Sequence, residues 1–408
     1  MTRPGPRCAT ASRVPRIAID ANVAMRVVVA PDSFKGSLDA PSAAAAIARA
    51  LSRAMPGTVV IERPMADGGE GTLDTVLRAA APAAARGTLD VENAAGGRVS
   101  AGYGIVERDG ERTAVLEAAQ VVAITDAANM AAPVERRSTR GLGEQVRALV
   151  DRGVRRFMIG LGGSSTNDGG AGFLAALGMR LLDARGGEVE PTPAGLARLA
   201  HADASVLDAR LAACSIVVMS DVNNPLTGER GATAVFGTQK GVAPDRVAAL
   251  DATIGRYASI VERSLDRAAS GRAGAGAAGG LGFALMLVGA TAQSGAEVVA
   301  DLIGLDAALD GADWAITGEG RSDAQTLLAK APCVVADRAR ARGVPVSLVS
   351  GAIDPGALDA LNERFDGCFA LPAGPATLEG CVRDAAALLA ARAEAIGRLF
   401  VAARRTSA

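Results

Sequence analysis

The sequence predicts an α/β protein, a doubly wound parallel sheet of the Rossmann or flavodoxin kind made from both chain ends, with a second α/β domain inserted. Three observations predict it. β-branched runs alternate with alanine-rich helical stretches near the N-terminus, and that alternation returns near the C-terminus. The segment between them instead carries hairpin signals and a long glycine-rich run.

Residues 1–24 hold arginines but no continuous apolar stretch like a secretory signal, and are expected to form a disordered extension. "MRVVVA" from Met25 is a buried strand stopped by Pro31. "SLDAPSAAAAIARALSRAM" is a helix with Ser37 or Asp39 as its N-cap. "TVVIERPM" and "GTLDTVLRAAA" give a second strand and helix. In the middle, "GGRVSAGYGIVERDGERTAVLEAA" reads as a hairpin turning at "RDGER". "RRFMIGL" is a strand entering the glycine run, "AGFLAALGMRL" a helix, and "CSIVVMSDV" a buried strand with a polar end. "WAIT" (314–317), "VSLVS" (346–350) and "GCFAL" (367–371) are the late strands, with helices near 326–342, 355–364 and 376–398. The expected division is 25–90 with 291–400 as the discontinuous domain and 91–290 as the insert, with the ligand site in the cleft between them.

Composition removes several function classes. Basic and acidic residues number 43 and 44, so no basic face is offered to nucleic acid. No run of 18 apolar residues suggests a membrane span. Five cysteines without a CxxC pair argue against a disulfide framework or zinc site and fit a cytoplasmic protein. The single histidine, His201, nearly excludes Ser-His-Asp and histidine-metal chemistry. No GxxxxGK[ST] is present, and "GLGGSS" matches the dinucleotide pattern only in part.

What remains is lysines, carboxylates, hydroxyls, amides and glycine loops. Only Lys35, Lys240 and Lys330 are lysine among the 43 basic residues, each beside a Gly/Asp/Ser/Thr-rich segment. Lysine's compact mobile charge suits phosphate. Asp67 and Glu70 surround Gly68-Gly69 after a strand; Asp221, Asn223 and Asn224 follow another, and Glu319 and Asp323 follow "WAIT". In open α/β sheets ligands bind at such strand ends, where carboxylates can hold Mg²⁺ with water and phosphate. Each such loop taken singly also reads as an ordinary cap or Asx-turn. The run Gly162-Gly163-Ser164-Ser165 with Asn167-Asp168 can present backbone N–H groups to an anion, leaving Asp168 for a metal or a hydroxyl. Phosphoryl transfer needs these parts and no histidine.

"VVVAPDSFKGSLDA", "PMADGGEGT", "IGLGGSSTNDGGAGFLAALG", "SDVNNPLTGERGATAVFGTQKG", "GAAGGLGFAL" and "TGEGRSDAQT" resemble, in order and over nearly the whole chain from Met25, the bacterial glycerate kinase family. The resemblance implies two α/β domains and ATP-dependent phosphorylation of D-glycerate, usually to 2-phosphoglycerate, with Mg²⁺. A 3-kinase, or a kinase of another small hydroxy acid, is the alternative. It implies Lys35 and Lys240 against carboxylate and phosphates, and the 162–165 and 279–282 loops, including Gly279 and Gly280, close to nucleotide or substrate. Asp221 or Asp168 is then base or metal ligand, with Asp32, Ser33, Asp67, Glu70, Glu319, Asp323 and Lys330 in support. Ala329 and Gly36 depart from the family's common glycine and glutamate. Monomer or homodimer are both compatible with this reading.

Overall fold

The computed structural model describes residues 24–108, 110–328 and 330–407; the expected extension up to residue 23, and Ala329, lie outside them. Thirteen strands occur among the described residues. In chain order they are β1 Arg26–Val29, β2 Val59–Glu62, β3 Ala85–Glu92, β4 Arg98–Arg108, β5 Glu111–Glu117, β6 Arg156–Gly160 and β7 Arg180–Leu182. They continue as β8 His201–Asp203, β9 Ser215–Met219, β10 Thr291–Gln293, β11 Trp314–Ser322, β12 Val346–Ile353 and β13 Gly367–Ala370.

Five of them form a sheet in the order β13-β12-β11-β1-β2, every pair parallel. Six form a second sheet in the order β10-β9-β6-β5-β4-β3, parallel from β10 to β5 and antiparallel through the β3-β4-β5 meander. β7 and β8 make a small antiparallel pair. The fold is mixed α/β with parallel sheets. The five-stranded sheet draws its strands from residues 26–62 and 314–370, and the six-stranded one from residues 85–293.

The alternation of side chains across a strand builds three cores. Val27 and Val29 point to one face with Ile47, Leu51, Trp314 and Leu389, where the helices Ala40–Ala54 and Ala385–Ser407 pack. Val28 and Ala315 point to the other face. That second core also receives Val115, Met158 and Met219 from the six-stranded sheet, so the two sheets share it. Phe157, Ile159 and Val218 face a third core on the far side of the six-stranded sheet. Strands covered on both faces are the reason the parallel runs are near-continuously apolar.

Asp39 is the N-cap of the first helix, its carboxylate accepting from the Ser42 N–H at 2.6 Å. Trp314, 1% exposed, stacks on Phe400 with ring centroids 4.5 Å apart and planes 9° from parallel. The long C-terminal helix is thereby fixed to β11. Three elements differ from the sequence reading. β11 runs on to Ser322, because it pairs with β12 as far as Ser322 opposite Ile353. The helix expected from 326 begins at Ala331, with Pro332 in its first turn. The helix after the glycine run covers only Ala171–Ala176, and "MRL" departs from it into β7. No helix among the described residues is long and apolar enough to cross a membrane.

Candidate active site

The carboxyl ends of β1, β11, β6 and β9 carry the residues singled out above. After β1 the chain follows β11, with the Asp32 N–H donating to the Gly318 carbonyl at 2.8 Å. Asp32 is 7% exposed, and its carboxyl is pushed up to about 8, first by burial and then by repulsion from Asp67. The Ser33 N–H, 2.6 Å from its Oδ1, and Lys35 oppose that shift. Lys35 is exposed, with Nζ 3.8 Å from Asp67 Oδ2, and Asp67 is the main reason its ammonium is held above the usual lysine range.

Glu319 lies within β11 rather than after it. Its Oε1 accepts from Thr326 Oγ1 at 2.6 Å and Ser322 Oγ at 2.9 Å, and burial raises its carboxyl despite both bonds. Asp323 accepts from the Gln325 N–H at 2.8 Å, an Asx-turn. Lys330 is half-buried, Nζ 3.4 Å from Gln325 Oε1, and its charge acts on both Glu319 and Asp221. Asp32, Ser33, Met65, Ala66, Glu70 and Thr75 are among the residues lining a small cleft of roughly 60 Å³.

The Asp67-Gly68-Gly69 turn joins this cluster to the other sheet. Gly68 has φ +88°, and a Cβ there would sit 2.7 Å from the Met219 carbonyl oxygen at the end of β9. A Cβ at Gly162 would lie 2.5 Å from Gly69 Cα, and the Gly162 N–H donates to the Gly68 carbonyl at 3.3 Å. Only glycines let these two backbones approach so closely. Asp221 follows β9 and accepts from the Gly295 N–H at 3.2 Å. Burial first and Asp67 second push its carboxyl up to about 6. Asp67 therefore acts on Asp32 from one sheet and on Asp221 from the other.

The glycine run holds a second cluster. Lys240, 3% exposed, donates from Nζ to Ser164 Oγ at 3.0 Å and to the Thr166 carbonyl at 2.8 Å. Burial draws its ammonium down to about 7, Arg137 adding to the effect and Asp168 opposing it. Ser165 Oγ donates to the Val122 carbonyl at 2.8 Å, and Asn167 Nδ2 to Thr233 Oγ1 at 2.9 Å. Asp168 is fully buried. Its Oδ2 accepts from the Thr139 N–H at 2.8 Å, Thr139 Oγ1 at 2.8 Å and the Gly172 N–H at 3.1 Å, and its Oδ1 from the Gly170 N–H at 3.0 Å. Gly279 and Gly280, at φ +67° and +97°, pack behind this run, with the Gly169 N–H donating to the Gly279 carbonyl at 2.9 Å. Asn224 Nδ2 donates to the Arg230 carbonyl at 2.7 Å, while Asn223 is exposed.

Asp32, Asp67, Asp221, Glu319, Lys35 and Lys330 thus share one electrostatic cluster, and Ser164 and Lys240 another, with the Gly162–Gly69 contact between them. Asp168 is not brought to the open surface: its carboxylate organises the backbone around the start of the next helix. Arg137 was not singled out by the sequence, yet it is 2% exposed and its guanidinium bonds the Ser165 and Lys240 carbonyls. Nothing in "VERRSTR" separates it from the arginines around it.

A family model described as the glycerate kinase family matches residues 27–401. The chain belongs to the glycerate kinase family. Similar relatives include a glycerate kinase of Bacillus subtilis, 40% identical over 371 residues, which are 89% of this chain and 94% of that one. A glycerate 2-kinase of Escherichia coli K12 is 36% identical, over 88% of this chain and 94% of the relative. A crystal structure from Salmonella typhimurium LT2, assigned as glycerate kinase 2, superposes with a TM-score of 0.80 at 38% identity, covering 94% of this chain and all of that one. Family membership and that structural likeness make this chain a phosphotransferase on a glycerate kinase fold, and the polar strand ends described above lie inside the matched region.

Proposed function

We propose that the protein transfers the γ-phosphoryl group of ATP to the 2-hydroxyl of D-glycerate, giving 2-phosphoglycerate and ADP by in-line displacement where the two sheets' carboxyl ends meet. The observation that carries this reading is the Asp67-Gly68-Gly69 turn seated on the ends of β6 and β9, which puts carboxylates from both sheets into one field. The division into a discontinuous domain and an insert is part of the same proposal, with the expected bounds at 90 and 291 moved to 85 and 293, because β3 and β10 belong to the six-stranded sheet.

The donor set suits magnesium. Asp67 and Asp221 are hard oxygen ligands whose mutual repulsion a divalent cation would relieve, and Mg²⁺ commonly takes one or two carboxylates with water and substrate phosphates. Among the described residues no group of three or more His, Cys, Asp or Glu side chains is placed to hold a metal ion, so the remaining ligands would be water and substrate phosphate. Bound there, the metal would neutralise charge on the transferring phosphates. Asp32 takes the acceptor hydroxyl's proton as that oxygen attacks phosphorus. Its displaced pKa lies close to working pH, where a general base is most effective. Lys35 and Lys330 screen phosphate charge, and Lys240 with Ser164 holds an oxyanion of a substrate. Asp168 positions the glycine run. Glu319 fixes the turn Ser322–Thr326 that leads to Lys330.

The test is an assay of purified protein with Mg-ATP and D-glycerate, the product read by phosphorus NMR. Formation of 2-phosphoglycerate is expected. Exclusive 3-phosphoglycerate would overturn the regiochemistry, and turnover with a different hydroxy acid alone would overturn the substrate.

A further inference from the structure

Arg137 has an unusual environment for a cation. Its Nε donates to the Ala132 carbonyl at 2.9 Å and Nη2 to the Met130 carbonyl at 3.2 Å, while Nη1 donates to both the Ser165 carbonyl at 3.0 Å and the Lys240 carbonyl at 2.9 Å. Every partner is a backbone oxygen. Glu135, half-buried, is the one carboxylate that acts on it, less strongly than burial does. Ser165 and Lys240 are 75 residues apart, and each adjoins or belongs to the Lys240–Ser164 pair. A single planar group therefore sets the spacing of two loops. Lys240 in turn bonds only a hydroxyl and a carbonyl, so two buried cations stand together. The charged groups facing Lys240 are Asp168, whose carboxylate is already held by Thr139, Gly170 and Gly172, and Arg137 itself. Tyr257, fully buried, faces Asp168 from the helix Val247–Leu265 and is uncharged at neutral pH. Buried charge on this scale either sheds its proton or gains a counter-charge, and a guanidinium does not shed its own.

Resting on the kinase reading above, we propose that Arg137 is a positioning residue: it clamps the Ser165 and Lys240 carbonyls so that the Lys240 ammonium and Ser164 hydroxyl form a seat for a substrate oxyanion, which supplies the missing counter-charge. The oxyanion is a carboxylate or a phosphate.

With three lysines in the chain, lysine-selective ¹³C labelling gives three side-chain signals, and Lys240→Arg identifies that of Lys240. In the wild type, inorganic phosphate should shift the Lys240 signal saturably. Titration with D-glycerate alone, and with a non-hydrolysable ATP analogue alone, then tells a carboxylate occupant from a phosphate one. In Arg137→Gln that response should need at least tenfold more anion, with the Lys35 and Lys330 responses the same as in the wild type and KM for the anionic substrate rising more than kcat falls. Arg137→Lys keeps the charge but cannot span four carbonyls, and should show the same loss in milder form; it serves alone if the glutamine variant does not fold. A wild-type Lys240 signal indifferent to all three anions overturns the proposal. So does unchanged binding in either variant, or an equal weakening of all three lysine responses in Arg137→Gln. The phosphate arm needs no turnover. An anion response lost in Arg137→Gln, without any glycerate phosphorylation, sinks the kinase reading and leaves the clamp. Normal glycerate turnover with an undisturbed variant does the reverse.

Discussion

The two clusters of the site are electrostatic opposites. At the ends of β1, β2, β11 and β9, Asp32, Asp67, Glu319 and Asp221 crowd together, with the cations at the edge. Around the glycine run, Lys240 and Arg137 are buried within a few ångströms of carbonyl oxygens, and the nearby carboxylate of Asp168 is spent on hydrogen bonds. Burial drives carboxylates up in the first region and an amine down in the second. Each region disfavours its own charge and is relieved by the opposite one. On the proposed reading, a polyanionic donor carrying a divalent cation and an anionic acceptor would supply both signs at once, so that binding substrate would repair two unfavourable regions of the free enzyme.

The largest expected effect comes from removing the surplus carboxylate that we assign as base. Asp32→Asn should lower kcat on the order of a thousandfold, within the usual range for a lost general base. The same substitution should raise stability. A carboxyl whose folded pKa is about 8 against 3.8 unfolded makes the folded state bind more protons, so stability falls as pH climbs from about 4 to 8. The variant should therefore melt several degrees higher than wild type at pH 8 and at the same temperature at pH 4. A lower melting temperature at pH 8 would show that Asp32 is not carrying that cost.

Lys240→Gln should cost about a hundredfold in kcat/KM, typical of a lost donor to developing or bound negative charge. The wild-type pH profile sharpens this. Asp32 must lose its proton and Lys240 must keep its own, so kcat/KM should rise with pH on the first group and fall on the second. The result is a narrow bell centred between about 7 and 8. A flat profile from pH 6 to 9 would remove both from the mechanism. The smallest catalytic effect should come from Asp168→Asn. Its carboxylate accepts four hydrogen bonds, and an amide would turn one acceptor into a donor facing an N–H, costing about 2 kcal/mol of stability. The melting curve should move more than kcat; the reverse would restore Asp168 to the chemistry.

Much of the frame was legible because it rests on local rules. The β-branched run stopped by Pro31, the Asp39 cap and the glycine run between two apolar segments depend on near neighbours, and the structure forms each where the residues indicate. The end of β11 was not legible, since what extends it past "WAIT" is the register with β12 some thirty residues on. Asp168 shows the same limit inside the site. A carboxylate after glycines reads equally as ligand and as cap, and only the fold brings Thr139 to it. Arg137 was hidden for a simpler reason: burial of an arginine is decided entirely by tertiary contacts, and its flanking residues carry no trace of it.

The stacking of Trp314 on Phe400 has an optical consequence. Trp314 is the chain's single tryptophan, it opens the strand that carries Glu319, and its partner sits on the last helix. Excited at wavelengths that the two tyrosines do not absorb, intrinsic emission therefore comes from one address. Detachment of the C-terminal helix would wet that indole and redden its light, giving a label-free report on one joint of the molecule while the rest stays dark.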